Sequence, residues 1–406
     1  MATAENTPVK ATYLVIFAVS ICHLLNDVMQ SVLAAIYPLL QAEFALDFWQ
    51  IGMLTFAFQA TASLLQPVVG LYTDRRPLPQ SLPIGMGATF CGLVLLATAG
   101  SYPMLIAGAS LIGIGSAVFH PEASRVARLA AGGRYGTAQS LFQVGGNVGT
   151  AIGPLLAALI VVPLGRPSIA WFSVLALIGI AILWQVGGWY GRYRVANAGR
   201  APVSTVVALP RGRVLLAIAV LAVLVSTKNF YTASVTSYYT FFLIERFGLT
   251  TQQSQIMLFI FLGSMPFGVA LGGPLGDRFG SLTVIWISIL GVLPFTLALP
   301  YADLFWTGVL SVVIGVTIAL AFPAIIVFAQ ELVPGRIGMI NGIFFGFAFG
   351  MGGIAAAALG VLADLRGIEF VYRLCSFLPL LGLLTVFLPR QRELTAQPEA
   401  RQRPAE

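Results

Sequence analysis

The chain has 406 residues, of which 58% are hydrophobic and 9% charged, and its formal net charge is +7. Soluble domains carry about 25% charged residues, so this composition excludes a soluble globular protein of this length. The apolar runs exceed the roughly 20 residues that cross a bilayer as a helix, and they lack the alternating pattern of a membrane β-barrel. The sequence therefore predicts an all-α integral membrane protein.

Twelve apolar segments follow one another along the chain, and each predicts a membrane-spanning helix. They cover residues 12–41, 48–71, 82–100, 103–128, 135–163, 168–190, 214–244, 252–275, 282–300, 304–330, 337–363 and 368–388. Most Lys and Arg residues fall on one side of these spans, which the positive-inside rule identifies as the cytoplasm. We therefore expect both termini in the cytoplasm. The basic charge follows the membrane sides and does not indicate a nucleic-acid partner.

The second half of the sequence repeats the first at a distance of 203 residues. Pairs at this offset are Gln50/Gln253, Phe56/Phe259, Gly70/Gly273, Asp74/Asp277 and Arg75/Arg278. The repeat contains six spans, an even number, so both halves have the same orientation in the membrane. This predicts two six-helix bundles at 1–190 and 214–390, a basic cytoplasmic linker at 191–213 and a cytoplasmic tail at 391–406.

The first span carries a polar stripe. Its members follow steps of three and four residues and so share one helix face: Ser20, His23, Asp27, Gln30 and Ser31. A charge near the bilayer centre costs roughly 2.5–3.5 kcal/mol on insertion scales, so this face is expected to line a polar cavity. Because imidazole and carboxyl groups exchange protons readily, we predict that His23 and Asp27 couple protons, with Asn26 and Gln30 near the substrate. The alternative is a structural hydrogen bond from Asp27 to a neighbouring helix.

The fourth span contains the sequence FHPEASRVAR, from Phe119 to Arg128. Pro121 removes a backbone donor and predicts a kink. His120 and Glu122 form a second His–carboxylate pair by position, and we predict that they couple protons while Arg125 binds substrate. Glu122 and Arg125 are three residues apart, so the alternative is an ion pair within the helix.

The fifth and seventh spans carry polar residues at mid-membrane depth. Gln143 and Asn147 are four residues apart on the fifth span and share one face. Lys228, the only lysine inside a predicted span, lies on the seventh span near Tyr231. We predict that all four bind substrate, with Lys228 holding an anion or pairing with Asp27. The alternative for Lys228 is that its side chain extends to the membrane surface.

Two loop sequences resemble the signature of the major facilitator superfamily, which lies between the second and third helices of each half. They are GLYTDRR, from Gly70 to Arg76, and GGPLGDRFG, from Gly272 to Gly280. The resemblance implies that the Gly allows close helix contact and that the Asp–Arg pair latches neighbouring helices on the cytoplasmic face. The predicted latch residues are Gly70, Asp74, Arg75, Gly273, Asp277 and Arg278. Pro77 and Pro79 depart from the pattern, so we expect the first latch to be weaker. The alternative is a solvated turn.

The fifth span also contains GTAIGPLLAA, which resembles the antiporter motif of this superfamily through Gly149, Gly153 and Pro154. Ala157 and Ala158 replace the final glycine pair of that motif. The resemblance implies antiport. Small residues at four-residue spacing also let any two helices pack closely, so a packing role is the alternative.

Longer blocks resemble bacterial fosmidomycin-resistance proteins: HLLND (His23 to Asp27), VFHPEASRVAR (Val118 to Arg128), QELVPGRIGM (Gln330 to Met339) and FFGFAFGMGG (Phe344 to Gly353). The resemblance implies a monomeric, multi-pass inner-membrane pump, surrounded by lipid, that exports a small drug by proton antiport without cofactor or metal. Fosmidomycin is an anionic phosphonate with a hydroxamate group, and a cavity containing Lys228 suits such an anion. The physiological substrate can be another compound.

Two other functions stay open at this point. A proton symporter that imports a small anion or sugar would use the same fold and the same polar residues. A membrane-embedded metalloenzyme would use His23, Asp27, His120 and Glu122 as ligands, since imidazole and carboxylate groups bind zinc. The repeat predicts a moving cavity instead, and the sequence has no third histidine. We therefore expect a transporter and no enzymatic activity.

Overall fold

The computed structural model describes residues 12–46, 48–197, 209–249, 251–390 and Glu393. These residues are helical apart from turns and short connections, and they contain no strand. Eleven helices among them are long and apolar enough to cross a membrane. The predicted all-α membrane fold is therefore confirmed.

Twelve helical spans are labelled in chain order. The N-terminal half contains α1 (Tyr13–Ala35), α2 (Phe48–Arg75), α3 (Ser81–Thr98), α4 (Tyr102–Ala130), α5 (Tyr135–Leu156) and α6 (Phe172–Ala196). The C-terminal half contains α7 (Arg211–Phe247), α8 (Thr251–Phe279), α9 (Ser281–Ile289), α10 (Leu304–Ala319 and Ala321–Leu332), α11 (Ile337–Arg366) and α12 (Ile368–Cys375). Short helical pieces extend several of them: Tyr37–Phe44 after α1, Ala157–Val161 and Val162–Leu164 after α5, Arg166–Trp171 before α6, Leu293–Ala298 and Leu299–Tyr301 after α9, and Leu378–Phe387 after α12.

Each predicted span coincides with one of these helices. The fifth predicted span, 135–163, is α5 with its two extensions, and it is the one that is not among the eleven apolar helices. The predicted linker, 191–213, is helical at both ends, because α6 runs to Ala196 and α7 begins at Arg211. Its centre, 198–208, lies outside the described residues, as does the predicted tail apart from Glu393.

Large apolar side chains cover much of the outer surface. Exposed examples occur in both halves: Leu64, Leu155, Trp184, Phe267 and Val386. A soluble monomer rarely exposes so much contiguous apolar surface, whereas lipid accepts it without cost. The protein is therefore a multi-pass membrane protein whose polar residues must be sought in its interior.

The two halves pack against each other through equivalent helices. Within the N-terminal half, α1 packs along α5, and α4 packs against α2 and α3. Between the halves, α2 packs on α11 and α5 packs on α8. These two contacts are related by the repeat, because α8 corresponds to α2 and α11 corresponds to α5. The helices α1, α4, α7 and α10 all contribute side chains to the space between the halves.

Glycines bring the halves together at one end of the molecule. Gly70 of α2 faces Gly338 of α11, and Gly273 of α8 faces Gly136 of α5. A Cβ atom at any of these four positions would collide with the backbone oxygen of the facing glycine. Because α2 and α8 end just beyond these contacts, we call this end the latch face. The space between the halves is therefore closed on that side.

Candidate functional site

A cavity of about 260 Å³ lies between the two halves, near the middle of the spans. The N-terminal half lines it with polar side chains from α1, α4 and α5, whereas α8, α10 and α11 contribute mainly apolar ones. Six of the residues that the sequence singled out line this cavity: His23, Asp27, His120, Gln143, Asn147 and Lys228. The cavity thus joins the candidate proton carriers and the candidate anion-binding cation.

Asp27 lies between the two histidines. His23 Nε2 is 3.3 Å from Asp27 Oδ2, and His120 Nε2 is 3.4 Å from Asp27 Oδ1. The Asn26 amide donates to Oδ1 at 3.1 Å, and the Thr150 hydroxyl donates to Oδ2 at 3.5 Å. His23, Asp27 and His120 are all buried, and we call them the triad.

The second predicted pair, His120 and Glu122, is not a pair in the structure. Residues two apart on a helix point about 200° away from each other, so they face different neighbours. His120 faces Asp27, whereas the Glu122 carboxylate accepts a hydrogen bond from the Thr73 hydroxyl at 2.6 Å and pairs with Arg125 at 3.0 Å. The structure therefore contains one group of two histidines and one carboxylate in place of two His–carboxylate pairs.

Backbone groups from two helices orient the histidines. His23 Nδ1 is 2.8 Å from the carbonyl oxygen of Phe142, and His120 Nδ1 is 3.0 Å from that of Ser116. The Phe142 ring also stacks on the His23 ring, with centroids 4.1 Å apart. Gly146 leaves the space for this arrangement, because a Cβ there would overlap the His23 imidazole. The sequence analysis missed Phe142 and Gly146, although Gly146 precedes Gly149 by three residues on the same face.

The triad has a spacing that a metal ion would also accept. One ligand atom from each residue lies within 4.8 Å of the other two, and imidazole and carboxylate groups are common zinc ligands. The same atoms can instead be bridged by protons. The expectation that no metal binds stays a prediction.

Lys228 supplies the cation on the opposite wall. Its Nζ atom is 4.9 Å from the centre of the Phe322 ring, which also lines the cavity. Lys228 further borders a small second pocket that includes Tyr231. The side chain therefore turns toward the interior of the protein, and the structure does not support the alternative in which it extends to the membrane surface.

Four predicted substrate-binding residues are not part of the described lining of the cavity: Asn26, Gln30, Tyr231 and Arg125. The Gln30 side-chain oxygen accepts a hydrogen bond from the Ser116 hydroxyl at 3.2 Å. Tyr231 is buried among the apolar residues of the C-terminal half. Arg125 is buried and lies between two carboxylates. The substrate-binding role of these four residues stays a prediction.

At the latch face, Asp74 of α2 binds the first turn of α11. Its carboxylate accepts hydrogen bonds from the backbone N–H groups of Gly338 at 3.0 Å and Met339 at 2.8 Å. First-turn N–H groups have no partner in their own helix and carry partial positive charge, so an acidic side chain caps them. Arg125 forms ion pairs with both Asp74 and Glu122. Asp74 thus joins the two halves while remaining in an ionic cluster of its own half.

Asp277 of α8 makes the equivalent contact with α5. It accepts hydrogen bonds from the backbone N–H groups of Gly136 at 2.8 Å and Thr137 at 2.9 Å, and from the Thr137 hydroxyl at 2.6 Å. The described hydrogen bonds of each motif with the opposite half come from its Asp, and the part predicted for its Arg stays a prediction. Arg75 is exposed, and the Arg278 guanidinium lies 5.2 Å from the Phe279 ring. In each copy the Asp and the Gly make the latch.

The glycines of the antiporter-like motif pack α5 against α1. Gly149 faces the backbone of Leu24, and Gly153 faces Ser31, so a Cβ at either position would collide with α1. This is the packing role that the sequence analysis kept as an alternative. The side chain of Pro154 lies outside those that the structure describes.

A chain of hydrogen bonds joins the halves between the cavity and the latch face. Arg128 donates to the Gln330 side-chain oxygen at 2.8 Å, and the Gln330 amide donates to Asn341 Oδ1 at 2.6 Å. Asn341 in turn donates to the carbonyl oxygen of Pro121 at 3.2 Å. The sequence analysis assigned no role to Gln330 or Asn341, because their partners Arg128 and Pro121 lie in the other half of the chain.

Comparison with known proteins identifies the family. The profile of the Major Facilitator Superfamily matches residues 19–357. The chain is 56% identical over 391 residues to the Fosmidomycin resistance protein of Escherichia coli (strain K12), covering 96% of each chain. It is 40% identical over 392 residues to the uncharacterized MFS-type transporter YfnC of Bacillus subtilis (strain 168), covering 95% of each chain.

Solved structures share the fold. The transporter FucP in the outward conformation has a TM-score of 0.71 at 16% identity, over 92% of this chain and 98% of that chain. The human organic anion transporter MFSD10 has a TM-score of 0.74 at 17% identity, over 93% of this chain and 100% of that chain. With its two repeated helical halves around a central cavity, the protein belongs to the Major Facilitator Superfamily and is a membrane transporter, not an enzyme.

Proposed function

We propose that this transporter exports a small anionic compound across the bacterial inner membrane in exchange for protons. The observation that carries the proposal is that the triad and Lys228 line one cavity. A proton-binding group and an anion-binding cation in one small cavity influence each other. Binding of a proton changes the affinity for the anion, and binding of the anion changes the affinity for the proton. Coupling requires this reciprocal effect. The similarity to a protein named for fosmidomycin resistance supports a fosmidomycin-like substrate.

The latch face lies in the cytoplasm in this proposal. Basic residues concentrate there, as the positive-inside rule requires: Arg75, Arg76, Arg128, Arg134, Arg194, Arg211, Arg213, Arg278 and Arg336. Both termini are then cytoplasmic. The bundles at 1–190 and 214–390 move about the central cavity, joined by the linker at 191–213. In this proposal the closed latch face belongs to the outward-facing state.

Antiport follows if protons and substrate compete for the triad. Without protons, the Asp27 carboxylate and the imidazole nitrogens present hydrogen-bond acceptors to the cavity. A substrate can satisfy them with O–H or N–H groups while its anionic group binds Lys228, and Gln143 and Asn147 supply further polar contacts. Protons that enter from outside satisfy the same acceptors, so the substrate loses these contacts and leaves. The proton-loaded cavity then closes to the outside and delivers its protons to the cytoplasm.

Symport of protons with a small anion is the second candidate. One observation favours it: the triad and Lys228 line the same cavity. Protons bound there would add positive charge to that of Lys228 and so attract an anion together with the protons. Inward flux of the anion along an imposed proton gradient in oriented vesicles would support symport. Flux against the direction of proton movement would support antiport.

The proposal is tested in proteoliposomes with an imposed pH gradient and fosmidomycin as the probe. Asp27→Asn keeps the size of the side chain and removes its charge. We expect this variant to lose pH-driven transport and to retain exchange of labelled for unlabelled probe without a gradient. The described hydrogen bond of the exposed Thr98 side chain is to Val94 of its own helix, α3, so Thr98→Val is the control and should transport normally. Full gradient-driven transport by Asp27→Asn would overturn the assignment.

A further inference from the structure

We infer that a strip of polar residues between the cavity and the latch face is the entry route of the substrate, and that Arg128 is the residue that first binds its anionic group. The polar strip consists of Arg128 on α4, Gln330 on α10 and Asn341 on α11. The inference deepens the proposed function and rests on it for the cytoplasmic side and for the charge of the substrate. It adds a second binding site to the central cavity.

The polar strip runs from the latch face to the floor of the cavity. Arg128 lies eight residues beyond His120 on α4, and Gln330 lies eight residues beyond Phe322 on α10. His120 and Phe322 line the cavity, so a helical rise of 1.5 Å per residue places Arg128 and Gln330 about 12 Å from it. The other end of the strip reaches the carbonyl oxygen of Pro121, which directly follows His120. The strip therefore spans the distance that a substrate must cross.

Hydrogen bonds between the two halves hold the polar strip closed. Arg128 donates to the Gln330 side-chain oxygen at 2.8 Å, and the Asn341 amide donates to the carbonyl oxygen of Pro121 at 3.2 Å. A third bond, from the Gln330 amide to Asn341 Oδ1 at 2.6 Å, lies within the C-terminal half. Separation of the halves breaks the first two bonds and leaves the third. The open cleft then presents a guanidinium and an amide without their partners.

The polar strip crosses an apolar interior. Gln330 is 2% exposed and Asn341 is 0% exposed, and Phe328, Ile340 and Phe344 of the same two helices are fully buried. Apolar side chains of similar size often pack such an interior with equal or greater stability. Polar groups that lose buried partners need new ones, from water or from a polar solute. Their presence on this line therefore indicates a role in the separated state.

The other copy of the repeat does not form an equivalent strip among the described contacts. At the 203-residue offset, Glu331 takes the position of Arg128, and at an offset of 202 residues Gln139 takes that of Asn341. The Gln139 side-chain oxygen accepts a hydrogen bond from the Ser124 hydroxyl at 2.8 Å, within its own half. The polar connection between the halves thus lies on the side of Arg128, where a cation can guide an anion.

Arg128 has the donor geometry that an oxyanion requires. A guanidinium carries five N–H donors in a planar fork that fits two oxygens of a carboxylate or phosphonate. In the closed arrangement Arg128 donates to an uncharged amide, lies 4.0 Å from the centre of the Tyr135 ring and feels the charge of Glu331. Gln330 and Glu331 both belong to α10 in the opposite half. When the halves separate, Arg128 loses both, and an oxyanion from the cytoplasm can take their place.

Two variants that break the same hydrogen bond test the inference. Arg128→Gln removes the cation, whereas Gln330→Leu removes its amide partner and keeps the cation. The KM for fosmidomycin is measured from each side of the membrane with full-length protein in oriented proteoliposomes. We expect Arg128→Gln to raise the KM on the latch-face side about 10-fold, because a hydrogen bond to a charged group is lost. Gln330→Leu should lower that KM, because the strip opens more readily and Arg128 is still present.

Arg134→Gln is the matched control. Arg134 is exposed at the same face, and its described side-chain hydrogen bond is to the Tyr13 hydroxyl at 3.5 Å. The control removes the same charge from the same face and should leave the KM unchanged. Arg128→Lys keeps the charge without the planar fork and should raise the KM less than Arg128→Gln. An equal increase in KM in Arg128→Gln and Gln330→Leu, or in Arg128→Gln and Arg134→Gln, would overturn the inference.

Chemical modification of arginine tests binding without transport. Phenylglyoxal is added from the latch-face side to the Gln330→Leu protein, and mass spectrometry identifies the modified residues. We expect Arg128 to be modified and fosmidomycin to protect it, while the exposed Arg134 is modified equally with and without fosmidomycin. An Arg128 side chain that is not modified, or that fosmidomycin does not protect, would contradict the inference.

The outcomes separate this inference from the proposed function. Protection of Arg128 without any pH-driven flux would contradict proton antiport and leave the entry site in place. A pH-driven flux that depends neither on Arg128 nor on its protection would contradict the entry site and leave antiport in place.

Discussion

The two latches share their geometry and differ in their surroundings. Asp74 and Asp277 each accept hydrogen bonds from the first turn of a helix in the opposite half. Asp74 does so beside the buried Arg125 and Glu122, whereas Asp277 is exposed and has the Thr137 hydroxyl. At the 203-residue offset, Phe328 and Ile325 occupy the positions of Arg125 and Glu122. Both copies of the motif cap a helix, and among the described residues the ionic cluster occurs in the N-terminal copy alone.

This difference matters when the latch face opens. Arg125 lies in the same half as Asp74, so that carboxylate keeps an ionic partner when the halves separate. All the described partners of Asp277 lie in the opposite half, so water must replace them. The cluster around Arg125 therefore lowers the cost of opening one latch, and solvent does so for the other.

The sequence analysis expected Pro77 and Pro79 of the first motif to weaken its latch, but their described contacts lie within their own half. The carbonyl of Pro77 accepts a hydrogen bond from Arg194 at 3.0 Å, and Pro79 lies against Gly187 on α6. They fasten the loop to its own half and leave the contact of Asp74 with α11 intact. The expectation of a weaker first latch stays a prediction.

Removal of the cation from the first latch should have the largest effect. Arg125→Met leaves Glu122 and Asp74 buried without a counter-ion, and breaking a buried pair in this way costs about 3–5 kcal/mol. We expect a clear loss of stability in thermal or denaturant unfolding in detergent. Combination with Glu122→Gln should restore part of it. The exposed Arg278 of the second latch is the control, and Arg278→Met should change stability by less than about 0.5 kcal/mol. Equal effects would show that the ionic cluster does not distinguish the latches.

An added methyl group should disturb both latches alike. Gly70→Ala and Gly273→Ala each force a Cβ against backbone of the opposite half, and overpacking of this kind costs about 1–3 kcal/mol. We expect the equilibrium to shift toward an open latch face about 10-fold. Labelling of a Thr150→Cys cavity reporter from outside, with Cys91 replaced by Ser, measures the shift. In α8, a Cβ at Gly263 meets no neighbour within 4 Å, so Gly263→Ala should label like the unsubstituted reporter. A shift in only one of the two variants would argue that the latches are not equivalent.

Neutralisation of the capping carboxylates should have the smallest effect on the latch equilibrium. The two variants should nevertheless differ clearly in how their effects depend on salt. Asp74→Asn and Asp277→Asn each weaken a helix cap worth about 0.5–2 kcal/mol. Because salt screens exposed charges more than buried ones, the effect of Asp277→Asn should shrink at high ionic strength, whereas that of Asp74→Asn should persist. The same Thr150→Cys reporter checks this at low and high salt. Equal salt dependence would mean that burial does not separate the two sites.

The position of His120 shows how far spacing can predict a site. His23 and Asp27 are four residues apart, so their contact follows from helix geometry alone. His120 was grouped with Glu122 because they are close in sequence, yet its partner is Asp27, on another helix. That contact depends on how α1, α4 and α5 pack, and Gly146 is the residue that makes the space. Arg125 follows the same rule: its pairing with Glu122 was an alternative from spacing, and its pairing with Asp74 was not foreseen.

The sequence by itself determined the membrane fold, the twelve spans, the repeat, and the presence of polar groups on α1, α4, α5 and α7. These properties depend on hydrophobic length and helical periodicity, which are local along the chain. The tertiary structure decided which polar groups meet: the triad, the cavity shared with Lys228, and the capping of α11 and α5 by carboxylates of the opposite halves. Such contacts join residues more than 90 positions apart, and their distances are set by close helix approach at a few glycines.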